Sequence, residues 1–191
     1  MASQEGDPNG GKFDPENVLL WRAHKRRLDA ESLRDSILML SGSLDMQRGG
    51  PSLPSDFKSE FNFKYTSMKR SIYIPVFRNR LHEIFRAFDF ANPSFVVGKR
   101  FESTLPTQSL YLMNSPFVHE QAEVAAEQFI KGRADLEDAV RRTYRQILCR
   151  SPRAEEMTLT LEFLKSEDFS REARAGLIRS LYSCVDFQYI H

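Results

Sequence analysis

The chain reads as mainly α: a helical domain with a small antiparallel β-hairpin insertion and a C-terminal three-helix unit. Three observations point there. Apolar residues recur at spacings of three and four over much of the sequence, Ser-Pro pairs stand in front of two of these segments, and one stretch near residue 70 alternates in the manner of a strand. The length of 191 residues suffices for one core of ordinary size. Apolar residues make up 41% and charged residues 28%, within the range of a globular chain, and 15 Phe supply bulky filling. The Gly-rich polar residues 1–13 are therefore expected as a disordered tail, and residues 14–191 as a single mostly helical domain.

The elements follow in order. In "FDPENVLLWRAHKRR", Asp14 can cap a helix with Pro15 at its first position, and Val18, Leu19 and Trp21 begin an apolar face. A helix continues through "RRLDAESLRDSILMLSG", where Leu33, Ile37, Leu40 and Leu44 recur at four, three and four, and Gly42 marks the end. Gly49, Gly50, Pro51 and Pro54 then punctuate a loop, and Phe61, Phe63 and Tyr65 alternate with polar residues. "RSIYIPV" is the best strand in the sequence, with Pro75 placing it at an edge, so a short antiparallel pair is expected here. Asn79 can cap a helix through Leu81, Ile84, Phe85 and Phe88, after which "FDFANPSFVVGKRFESTLP" reads as a long irregular connection. From "TQSLYLMN" onward the chain reads as helices, with Ser115-Pro116 and Ser151-Pro152 as starts.

Charge density near the apolar stripe of residues 26–42 admits a basic patch, a carboxylate pair or structural ion pairs. Arg27 to Glu31 and Glu31 to Arg34 have helical i,i+4 and i,i+3 spacing, which is worth only a few tenths of a kcal/mol when exposed. The basic cluster "HKRR" at 24–27 is followed at once by Asp29, Glu31 and Asp35, and the net charge is +1, so no nucleic-acid partner is expected. No run is apolar enough to span a bilayer and no export signal is visible, so no membrane partner is expected and the chain alone does not give a localisation. Cys149 and Cys184 lack metal or haem spacing and read as two buried free thiols. His24, His82, His119 and His191 are scattered, and Glu155 with Glu156 fall early in a helix, where the macrodipole accounts for them. Neither a metal nor a cofactor is expected.

The ordered series "LLWRAHKRRLDAESLRDSILMLSGSLD", "GGPS", "KRSIYIPVFRN", "FDFANPS", "STLPTQSLYLMNSPFV", "YRQILCRSPRAEE" and "LIRSLYSCVDFQYI" resembles a planctomycete domain of unknown function. That domain lies near the C-terminus of large secreted proteins, downstream of cytochrome-c-like and cytochrome-associated domains. The resemblance implies that the chain is the C-terminal part of a longer domain, without the upstream signal peptide and CxxCH motif, and that its setting is extracytoplasmic. It implies a packed thiol at Cys149, where relatives carry a small residue, and a polar network joining Arg34, Asp35, Arg70, Tyr73, Arg100 and Gln108. No activity comes with it. The reading is a non-catalytic structural or interaction module of a redox-linked multidomain protein, its partners other domains of a cytochrome-containing parent. The alternatives are an enzyme domain acting on an anionic glycan-like substrate through the Arg and carboxylate cluster and, more weakly, nucleic-acid binding at residues 24–27. A catalytic site would show polar side chains converging on a pocket without pairing off.

Overall fold

The computed structural model describes residues 10–130 and 135–190. Its helices are α1 (Gly10–Phe13), α2 (Ala30–Ser41), α3 (Glu83–Ala87), α4 (Pro106–Asn114), α5 (Pro116–Ile130), α6 (Leu136–Leu148), α7 (Ala154–Ser166) and α8 (Arg171–Ser183). Two short strands, β1 (Arg26–Arg27) and β2 (Tyr189–Ile190), pair antiparallel with Arg26 opposite Ile190. The chain is thus mainly α with one small antiparallel sheet. Of the tail expected to be disordered, residues 1–9 lie outside the described residues, and Gly10–Phe13 form a single helical turn. His191 also lies outside them.

α2 forms because Asp29 accepts the Ser32 N–H at its N-terminus, and Leu33, Ile37 and Leu38 then fall on one buried stripe. It stops at Gly42, whose φ of 72° suits a residue without a Cβ; an added Cβ would also stand 2.4 Å from the Gln128 side chain. The end of α2 is tied to α5 by Ser41 Oγ donating to Gln121 Oε1 at 2.7 Å and by Gln128 Nε2 donating to the Ser41 carbonyl at 2.6 Å. α5 and α8 make the most extensive helix contact, across Ala122, Ala125 and Ala126 on one side and Ala173, Leu177, Ile178 and Leu181 on the other. Small residues on α5 let the two backbones approach, and the bulkier α8 side chains fill the interface. α6 and α7 close the same core through Val140, Ile147 and Leu164.

Four local expectations are corrected. No helix runs from Pro15: Asp14 does cap, accepting the N–H groups of Val18 and Leu19, but Asn17 and Leu20 take φ of 58° and 56° and break the period. Val18 and Leu19 are 74% and 81% exposed, so they form no core face. The strand reading of "RSIYIPV" fails, since Ser71–Tyr73 form a 3-10 turn and the only β contact there is an isolated parallel bridge between Asp45 and Lys69. The antiparallel pair instead joins residues 26–27 to 189–190. α3 is capped by His82 Nδ1 accepting from the Ile84 N–H, while Asn79 donates to Glu60 Oε1 at 2.6 Å. The thiols are not both buried: Cys149 is exposed and Cys184 half-buried.

Candidate functional site

The candidate residues divide between two polar centres. In the first, Asp35 on α2 accepts the Ser71 backbone N–H at 2.8 Å and the Ser71 hydroxyl at 2.7 Å, starting the 3-10 turn that displaced the expected strand. Arg34, only 1% exposed, donates to the carbonyls of Lys69 at 3.0 Å and Ser67 at 2.5 Å, and lies 3.5 Å from Asp35. Spacing alone places Arg34 at the core rim with its fork on a carboxylate; it is instead fully buried and spends that fork mainly on backbone. Burial pulls its pKa down to about 10 against the opposing pull of Asp35, so it remains a cation at neutral pH. Arg70 joins only loosely, 4.0 Å from Asp35 and 53% exposed. Tyr73 is half-buried at the end of the turn, where its backbone N–H meets the Arg70 carbonyl.

The second centre holds Gln108, at the first turn of α4, with three residues that spacing did not reveal. Arg27 is 6% exposed and donates to Asp89 Oδ2 at 3.0 Å, to Gln108 Oε1 at 2.7 Å and to the Ser103 carbonyl. Asp89 also accepts the Ser103 N–H and hydroxyl, both at 2.8 Å. Partial burial would raise the Asp89 pKa, but these bonds from Ser103 and Arg27 outweigh it and hold the carboxyl below its ordinary value. The signal available was weak: an isolated Asp and Ser inside a long loop, and an Arg whose partner is 62 residues away. Arg100 stands between the centres, 2.7 Å from Glu31 and with its guanidinium 4.8 Å from the Phe90 ring. Neither expected i,i+3 or i,i+4 pair forms, because Arg27 lies outside the helix and Arg34 turns inward.

Asp35, Arg70 and Arg100, three of the six candidates, line one groove of roughly 500 Å³. Asp29, Glu31, Ile72 and Phe90 complete much of its wall, and Ile72 is 75% exposed there. Each groove carboxylate already has a partner: Asp29 caps α2, Glu31 holds Arg100 and Asp35 holds Ser71. Among the described residues no group of three or more His, Cys, Asp and Glu side chains is placed to hold a metal ion.

A third centre lies outside the predicted set. Arg150 makes a bidentate pair with Glu156, both bonds 2.7 Å, and reaches Asp186 at 2.7 Å. The Arg150 hydrogen bonds pull Glu156 down to about 2 against the effect of burial, so Glu156 does more than answer the helix dipole.

The family model described as PSD1, a protein of unknown function (DUF1553), matches residues 1–164, a span that holds the groove and both of its polar centres. No curated protein and no solved structure matches the chain.

Proposed function

This chain belongs to the PSD1 family of unknown function (DUF1553), and we propose that it serves there as a non-catalytic interaction module that docks another domain of its parent protein along the α2 groove. One observation carries the reading: each carboxylate of the groove is held by a structural partner, while Ile72 and Val76 beside them stay exposed at 75% and 42%. An enzyme that used these groups would hold at least one acid or base in reach of substrate and free of a structural bond. A docking surface needs the reverse, an apolar strip with an ordered polar rim. The parent we propose is an extracytoplasmic protein carrying cytochrome-c-like and cytochrome-associated domains, as the sequence resemblance implies.

The test supplies the parent's cytochrome-associated domain as a separate purified protein and follows binding by calorimetry. Binding should weaken by about tenfold in Ile72→Asp, since a buried aliphatic anchor is worth a kcal/mol or more, with Leu159→Asp, on exposed α7 surface, as the unaffected control. Binding unchanged by Ile72→Asp would remove the groove from the interface. Turnover of acidic oligosaccharides that Arg70→Ala abolishes would favour the enzyme reading, since Arg70 is the loosely held cation on the groove wall.

A further inference from the structure

A second cavity, roughly 480 Å³, opens between α4, α5 and α8 and is lined in part by Met113, His119, Gly176, Arg179, Ser183 and Cys184. Arg179 is half-buried there, and among the described residues no carboxylate lies within ion-pair reach of it. Its neighbour is an imidazole. His119 Nε2 sits 2.8 Å from the Met113 carbonyl, an acceptor only, which fixes the proton on Nε2. Arg179 Nη1 lies nearly equidistant from the two ring nitrogens, 3.0 Å from Nδ1 and 2.9 Å from Nε2. The ring thus meets one amino group of the guanidinium and leaves the other without a ring partner. The fork's other amino group faces Gly176, where an added Cβ would stand 3.9 Å from Nη2.

The other polar wall groups each donate to their own helix, and of the two Asn114 amide N–H groups one goes to the Leu110 carbonyl at 2.9 Å. Ser183 Oγ donates to the Arg179 carbonyl at 2.9 Å, Ser180 Oγ to the Leu177 carbonyl at 2.7 Å, and Cys184 Sγ to the Ser180 carbonyl at 3.3 Å. The cavity therefore offers one half-buried guanidinium and one remaining amide N–H beside a thioether and a thiol, with Met113 54% exposed. We infer that it binds a small organic carboxylate. Two coplanar oxygens match the open edge of the fork, and one negative charge matches one cation. A phosphate would require more donors than this wall has left, because the backbone N–H groups of α8 beyond its first turn are held within the helix. The apolar wall favours a carboxylate that carries a short alkyl chain. This site is separate from the α2 groove and stands or falls independently of it.

The inference is tested on the full chain by amide NMR titration with acetate, hexanoate and inorganic phosphate. Hexanoate should saturate in the millimolar range, bind more tightly than acetate or phosphate, and shift amides of residues 113–119 and 176–184. In Arg179→Gln its affinity should fall about tenfold or more, the worth of a lost charge-assisted hydrogen bond, with Arg179→Lys between. A second readout uses no change at Arg179: in a Cys149→Ser background, saturating hexanoate should slow alkylation of Cys184. If Arg179→Gln unfolds, that protection and the ligand ranking decide alone. Phosphate binding as tightly as hexanoate, shifts spread over the surface, or no protection of Cys184 would overturn the site.

Discussion

The two halves of the molecule solve the same problem in different ways. From Pro106 onward, α4 to α8 satisfy their backbone within helices, and their buried side chains are mostly apolar, with Gln108, Gln121, Thr143 and Thr160 as the buried polar ones. Residues 43–105 contain one α-helix of five residues, so most of their carbonyls have no ladder to join. Side chains take over. Arg34 serves the carbonyls of Lys69 and Ser67, Arg27 that of Ser103, Arg80 that of Phe61, Lys69 that of Gly49 and Tyr65 that of Arg80. A long irregular segment laid over a core has carbonyls with no ladder partner, and a cation with several N–H groups can serve more than one of them. The charge around α2 is thus explained by the loops that α2 must hold, not by the stability of α2 itself.

If that contrast is right, the largest single loss comes from Arg34. Arg34→Met keeps the apolar stem but strands two carbonyls and leaves Asp35 without its nearest cation, a change worth about 3 to 5 kcal/mol for a buried partner. At 2 to 4 °C per kcal/mol in a chain of this size, the thermal midpoint should fall by roughly 10 °C. Arg150→Met in the helical half removes three charge-assisted bonds, but Glu156 and Asp186 are 29% and 31% exposed, so the loss there should be smaller, nearer about 1 kcal/mol. Melting curves of the two variants compare the halves directly. An equal or larger loss at Arg150 would break the comparison.

Acid separates the halves next. His82 caps α3 and sits against Tyr65, Phe85 and Phe117, where burial and the nearby Arg34 charge lower its pKa from 6.5 to about 4. The unfolded chain then binds a proton that the folded one refuses, so stability is full above pH 6.5 and declines as pH falls towards 4. The shift corresponds to about 3 kcal/mol at the lower end. Glu156, lowered from 4.5 to about 2, also contributes stability that acid removes, but its window opens only below pH 4.5. Urea midpoints between pH 7 and pH 5 should therefore fall in the wild-type chain and stay level in His82→Gln. A wild-type midpoint that is flat over that range would show that His82 is not held neutral.

A smaller effect sharpens the account of the first centre. Asp35→Ala and Ser71→Ala should couple by about 1 to 2 kcal/mol in a double-mutant cycle, because the Ser71 hydroxyl donates to the carboxylate; the Ser71 N–H bond survives in Ser71→Ala and falls outside the cycle. Asp35 and Arg70 should couple by less than about 0.5 kcal/mol, since Arg70 is half in water and 4.0 Å away. The larger coupling appearing in the Arg70 cycle would restore the ion pair that spacing suggested.

The same contrast decides what could be read in advance. The stripe of Leu33 and Ile37, the stop at Gly42 and the start at Ser115-Pro116 are local signals, and each lies where the structure has it, whereas the helix expected to open at Ser151-Pro152 begins at Ala154 with Arg153 as its N-cap. The segment "RSIYIPV" has strand composition, yet a carboxylate 36 residues earlier captures Ser71 and turns the backbone. Propensity cannot anticipate a cap supplied from another element. The helix expected from Pro15 fails for a related reason: Asp14 caps a turn that Trp21 folds back upon, its Nε1 donating to the Asp14 carbonyl at 2.8 Å. For the candidate residues, the family resemblance implied one network of six; Arg34, Asp35 and Arg70 lie near one another, while Arg100 pairs with Glu31 and Gln108 joins Arg27. Arg27 and Asp89 were hidden because a single charge in a two-residue strand or a loop carries no period.

The smallest expected effect lies in the helical half, where little is left for side chains to repair. α6 ends at Cys149 with φ 56° and ψ 18°, the left-handed geometry that glycine adopts at a helix C-terminus without a steric penalty. A Cβ in that conformation costs on the order of 1 kcal/mol, and the exposed thiol has no packing to offset it. The left-handed backbone and the exposed thiol together correct the packed thiol first expected here. Cys149→Gly should therefore raise the thermal midpoint by about 1 to 3 °C, the gain being limited by the extra freedom glycine gives the unfolded chain. Cys149→Ala keeps the Cβ and should leave the midpoint nearly unchanged. If the glycine variant melts lower than the alanine variant, the left-handed cap is not what limits this helix, and the thiol contributes to the helical half in some other way.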